Sequence, residues 1–180
     1  MKKLILTFIL SISLSLSYTQ EAQSYSKVIS IPNISADTLY LLSKQWVISS
    51  FVTPSKVMQD DSKELKLISA KGSIEYSYGK FSYISYDGYL TYLIQIQSRD
   101  GRIKVDITNI IHENLPGNAR TSNLGFITNI VDPYKKGVGK NYNNNVIRDI
   151  KEKMKIYSEI KFKDIEEYLN KKQVREEKEW

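Results

Sequence analysis

The 180-residue sequence contains no cysteine. That excludes disulfides, thiol nucleophiles and cysteine-ligated metals, and it excludes a lipid-modified N-terminal cysteine. It contains one histidine, His112. A Ser-His-Asp arrangement would have to use it, and no Gly-x-Ser-x-Gly elbow is present to supply the serine. A histidine metal site lacks a second ligand of its kind, and neither Asp60-Asp61 nor Glu166-Glu167 has calcium-loop spacing. Glycine is scarce, at eight residues. The stretch KKGVGKNY at 135–142 looks superficially like a phosphate loop. It lacks the first glycine of that motif and carries Asn141 where Ser or Thr is required. No catalytic residue, metal ligand or cofactor is therefore assigned. His112 stands just past a predicted strand, beside Glu113, and reads as a surface histidine.

What is present begins with MKKLILTFILSISLSLS. Lys2 and Lys3 precede an apolar run from Leu4 to Leu16, short for a membrane-spanning helix. Ser15 and Ser17 are small residues spaced for cleavage before Tyr18, so residues 1–17 read as a secretory signal peptide. An uncleaved anchor is the alternative, and it is the one route to a membrane. The expected location is periplasmic or secreted, not that of a lipoprotein. Removing Lys2 and Lys3 lowers the formal charge from +6 to +4. That is a mild excess, suited to a solvated basic surface rather than a nucleic-acid footprint.

Residues 18–26 are a polar lead-in, and 27–170 are long enough for one domain and hardly two. KVISIP at 27–32 predicts a strand, and Ser35 an N-cap. SADTLYLLSKQWVISSF predicts a helix with Leu39, Leu42 and Trp46 on one face and Ser43 and Ser50 among them. Pro54 ends that segment. KVMQ at 56–59 starts a second strand, DDSKE reads as a turn, and 64–78 as a longer strand. The alternation of that strand changes phase near Leu67-Ile68, which predicts a bulge there. Gly72 marks a close backbone approach or a second irregularity. Residues 79–88 are a loop or a strand extension.

LTYLIQIQSRDGRIKVDITNII at 90–111 is the clearest signal. Asp-Gly between alternating runs predicts a two-residue hairpin of the mirror-image type, with positive φ at both central residues. Arg99 then faces Arg102, Ile96 faces Val105, and Ile94 faces Ile107, which puts the four apolar residues on one side of a half-buried sheet. Residues 112–142 read as a long irregular loop, in which GFITNIV at 125–131 is a candidate short strand. Helical spacing returns at 143–169, with a stripe of Val146, Ile150, Met154, Tyr157 and Ile160 and a kink near Lys161–Lys163. Residues 171–180 are a charged tail that should fray. The order β-α-β-β-β-β-α argues an α+β fold with helices packed on one face of an antiparallel sheet.

On the leader, KVISIP, the Trp46 helix, AKGSIEY (70–76) and the LIQIQSRDGRIKVDITNI hairpin (93–110), the chain resembles an exported bacterial domain-of-unknown-function (DUF) family with a TATA-binding-protein-like (TBP-like) fold. The resemblance covers roughly residues 25–115. It implies a curved antiparallel sheet backed by two helices. It implies no activity and no DNA binding, since fold analogy does not carry function.

EYSYGKFSYISYDGYLTY at 75–92 is the most distinctive stretch for function. Aromatics interleaved with polar residues can stack on sugars or bases, although strands favour tyrosine on packing grounds alone. Tyr78, Phe81, Tyr83 and Tyr86 lie where the alternation weakens, and they are the candidate binding residues. The reading is a non-catalytic exported module that binds an envelope protein, peptide or glycan. The alternatives are an extracytoplasmic hydrolase with an unrecognised carboxylate site, and nucleic-acid binding through the sheet, which export and modest charge disfavour.

Overall fold

The computed structural model describes residues 21–51, 57–115 and 122–178. The expected signal peptide and Pro54 lie outside these residues. Among the described residues no helix is long and apolar enough to cross a membrane.

Five main strands form one antiparallel sheet. They are β1 (Tyr25–Ser30), β2 (Met58–Ser62), β3 (Leu67–Tyr76), β4 (Gly88–Arg99) and β5 (Arg102–Asn114), in the spatial order β1-β5-β4-β3-β2. A two-residue strand, β6 (Gly125–Phe126), pairs with β5 where GFITNIV suggested an extra strand. The hairpin register is the expected one: Arg99 opposes Arg102, Ile96 opposes Val105 and Ile94 opposes Ile107. All four apolar residues are buried.

The turn itself differs from expectation. Gly101 takes φ 70°, but Asp100 keeps a negative φ, so the connection is not the mirror-image type. Tertiary contacts select the turn. Asp100 Oδ1 accepts from the backbone of Ala36 at 2.7 Å, Gly101 donates to Ile34 O at 2.9 Å, and Ile31 donates to Gly101 O at 2.8 Å. The hairpin tip is thereby bolted to the chain entering helix α1 (Ala36–Ser50), which Ser35 caps by accepting from Thr38 N.

Phase changes in the sheet also fall elsewhere than expected. The first lies on β2, between Met58 and Asp60, rather than at Leu67-Ile68. Asp60–Ser62 continue β2 as an edge strand, and Lys63–Lys66 make the turn expected of DDSKE. Asp61 tolerates that position because Tyr40 and Lys44 of α1 both donate to it. These partners hold its carboxyl below the usual range, the lysine hydrogen bond first. The second lies between Thr91 and Leu93 of β4, where Leu93 opposes Thr108 but Thr91 opposes Ile111. Asn109, at φ 51°, sits within the extra length on β5. At Gly72 it is a side chain and not backbone that comes close: a Cβ there would meet the Tyr92 ring at 2.2 Å.

Helix α1 and the long helix α2 (Lys140–Lys178) cover the same face of the sheet. Tyr25 of β1 donates to Lys151 O at 2.6 Å, and Lys27 pairs with Glu166 at 3.1 Å. Trp46 of α1 donates from Nε1 to Asp164 at 3.1 Å. The buried stripe of α2 runs Val146, Ile150, Met154, Ser158, Phe162, Ile165 and Leu169. It does not pass through Ile160, which is 59% exposed. Steps of four with one of three follow the 3.6-residue turn, and Ser158 hides its hydroxyl by donating to Met154 O. The helix is unbroken through Lys161–Lys163, and it continues through 171–178, where fraying was expected.

Gly88 opens β4 opposite Asn114, and an added Cβ would lie 2.1 Å from the backbone oxygen of Glu113. Gly88→Ala must therefore push two paired strands apart. The expected loss is about 1–3 kcal/mol of stability, measured as a lower urea midpoint.

Candidate functional site

The loop between β3 and β4 is a 3₁₀ turn at Phe81–Tyr86. It brings three of the four candidate residues together. Tyr78 and Tyr83 stack with ring centroids 3.9 Å apart and planes 15° from parallel. Tyr86 lies 6.3 Å from Tyr83. Phe81 stays apart and is 90% exposed.

The first turns of α2 complete the cluster. Tyr142 packs 4.9 Å from Tyr83 and is 47% exposed, Asn145 donates to the Tyr83 hydroxyl at 3.0 Å, and Tyr86 donates to Asn143 Oδ1 at 2.5 Å. Burial pushes the Tyr86 hydroxyl pKa upward. Next to the cluster opens a polar cleft of about 400 Å³, lined by the loop residues Asp132, Tyr134 and Lys135 and by Lys140, Asn141, Asn144, Asn145 and Arg148 of α2. Asn144 clamps the two walls together: its Oδ1 accepts from Tyr134 N at 3.1 Å and its Nδ2 donates to Tyr134 O at 3.0 Å. Arg148 pairs with Asp132 at 2.6 Å.

Beneath the cluster lies His112, and here the surface reading is wrong. His112 is fully buried. Nδ1 accepts from Leu124 N at 3.2 Å, which makes Nε2 the protonated nitrogen, donating to Tyr86 O at 2.8 Å. The ring of Tyr76 meets it edge-on at 5.4 Å. Burial pushes the His112 pKa down, with the Tyr86 carbonyl opposing in part. Tyr76 in turn donates to Asp149 at 2.8 Å, and Lys153 pairs with that carboxylate at 2.8 Å. The histidine therefore joins the 3₁₀ turn to the segment entering β6. It is a structural tie of the site, placed on β5. Among the described residues no group of acids and histidines is arranged to hold a metal.

Residues 25–113 match the family described as domain of unknown function (DUF4468) with TBP-like fold. Over those residues the chain belongs to that family. The solved structures agree on the fold. A TBP-like protein from Parabacteroides distasonis ATCC 8503 is 14% identical, with a TM-score of 0.56 over 83% of this chain and 93% of its own. A DUF4468 family protein from Bacteroides ovatus ATCC 8483 is 16% identical, with a TM-score of 0.57 over 81% of this chain and 85% of its own. No curated protein is significantly similar to the chain. The fold is thus TBP-like: a curved antiparallel sheet with helices on one face.

The DUF4468 match ends at residue 113, so it contains Tyr78, Tyr83 and Tyr86 but not the α2 wall of the cleft. Tyr142, Asn143 and Asn145 escaped the sequence reading for a related reason. They stand in the Asn-rich start of a helix, and nothing local says that this start meets a tyrosine some sixty residues earlier.

Proposed function

We propose that this DUF4468 protein is an exported, non-catalytic binding module of the cell envelope, and that its ligand is a glycan. The observation that carries the reading is the polar cleft edged by the Tyr78–Tyr83–Tyr142 cluster. Amide, ammonium and carboxylate groups line the cleft and can exchange hydrogen bonds with hydroxyls, while an adjacent half-exposed ring offers a face to a sugar's C–H side. A protein or peptide partner would need an apolar core to its interface, and the cleft lining favours the glycan over either. The leader at 1–17 supports export to where such polymers occur.

A hydrolase finds less support here. Glycosidic cleavage uses two facing carboxylates, whereas the cleft lining offers Asp132, already engaged by Arg148. Duplex binding through the sheet is also poorly supported, because Glu75, Asp106 and Glu113 share the open face with its basic residues.

The test is a glycan array followed by titration of the best hit. Tyr142→Ala and Asn145→Ala should each weaken binding about tenfold, equivalent to about 1.4 kcal/mol. Phe81→Ala, outside the cluster, should leave it unchanged. A folded protein that retains no glycan sinks the proposal, and turnover of a bound glycan would replace it with the hydrolase reading.

A further inference from the structure

The open face of the sheet carries a second feature at its far end. Arg99 and Arg102 are directly opposed across the hairpin, with Ser30 of β1 beside Arg102. The next row is Gln97, Lys104 and Val28, and Val28 is 58% exposed. Arg99, Arg102, Gln97, Lys104 and Val28 line a shallow hollow of about 200 Å³. Lys104 is taken by Asp106 at 2.9 Å. Among the described residues, neither guanidinium has a hydrogen-bond or ion-pair partner. Like charges directly opposed on a sheet destabilise it, and each guanidinium presents a planar fork of donors matched to an oxyanion. The feature is distinct from the tyrosine cleft, since β4 separates the two by about 36 Å at about 3.3 Å per residue.

We infer that Arg99 and Arg102 together form an oxyanion-binding site on the open face of the sheet, taking a phosphate or carboxylate group. The bound anion sits between two guanidinium forks and removes their mutual repulsion. Gln97 supplies a neutral donor at its edge.

The test is thermal unfolding of the full chain at constant ionic strength, with sodium chloride exchanged for inorganic phosphate in one arm and for succinate in the other. A saturable rise in Tm of roughly 2–4 °C is expected at several times the dissociation constant, and the arm that responds identifies the anion. The double variant Arg99→Gln/Arg102→Gln should lose the response while melting no lower than the parent without anion, because it no longer opposes like charges. Arg99→Lys/Arg102→Lys should keep the charge but lose most of the response. No saturable rise in either arm overturns the site. So does an equal rise in the glutamine variant, or a full response in the lysine variant, which would reduce the effect to diffuse charge.

Discussion

Trp46→Ala is expected to lower the free energy of unfolding by about 3–5 kcal/mol, within the range for emptying a buried aromatic site. Trp46 is 1% exposed and is the largest fully buried side chain among the described residues. It stands where α1 meets α2, with Asp164 accepting from its Nε1 and the Lys161 ammonium 6.0 Å from its ring. Its neighbour on the helix face, Ser43, is wholly buried and too small to fill the space an alanine would leave. Asp164 is exposed and regains water when the indole goes, so the loss comes from packing rather than from the hydrogen bond. Trp46→Phe separates the two contributions. It keeps much of the ring and removes the N–H, and it should cost well under half as much. Urea midpoints followed by far-UV circular dichroism measure both, since Trp180 complicates fluorescence. A loss for the alanine variant below about 0.5 kcal/mol, the level of an ordinary surface change, would mean that the indole does not join the helices.

The parts of this fold legible in sequence are those fixed by neighbours. The β4–β5 register is legible because period-two burial and a Gly at the turn agree, and a slip of one residue would expose every isoleucine. The α1 cap is legible because Ser35 needs only Thr38. What was not legible depends on distant chain. The turn type at Asp100-Gly101 is set by Ile31, Ile34 and Ala36. The α2 stripe passes through Ser158, a polar residue that pays no penalty only because it bonds its own helix. Three of the four candidate tyrosine-stretch residues do cluster, but their partners come from α2. His112 is the sharpest case. Read in strict alternation from Val105 and Ile107, it falls on the open face. The irregularity at Asn109 advances the phase by one, so Ile110 and His112 both turn inward.

That inward histidine leads to the second large effect. His112→Ala strands the Leu124 N–H and the Tyr86 carbonyl, both of which lie at a buried ring. Each orphaned group costs about 1–3 kcal/mol, so the total is about 2–6 kcal/mol. The wild-type protein should also lose stability with acid in a definite window. The His112 pKa is depressed in the folded state by burial, while in the unfolded chain it lies near 6.5. Above about pH 6.5 both states are neutral at this position and the full stability is present. As the pH falls through that value the unfolded chain takes up a proton that the folded protein refuses, and stability declines until the folded-state pKa is reached. His112 is the only histidine, and no other side chain ordinarily titrates in this range, so the slope belongs to one residue. Urea midpoints at pH 7.5 and 5.5 should differ for the wild type and differ less for His112→Ala. An alanine variant with the same slope as wild type would place the titration elsewhere. Because the stranded groups belong to the 3₁₀ turn and to the approach to β6, the same substitution should loosen Tyr83 and Tyr86 first. Amide exchange at residues 81–86 and 122–126 should therefore speed up more than exchange in β3 or β4.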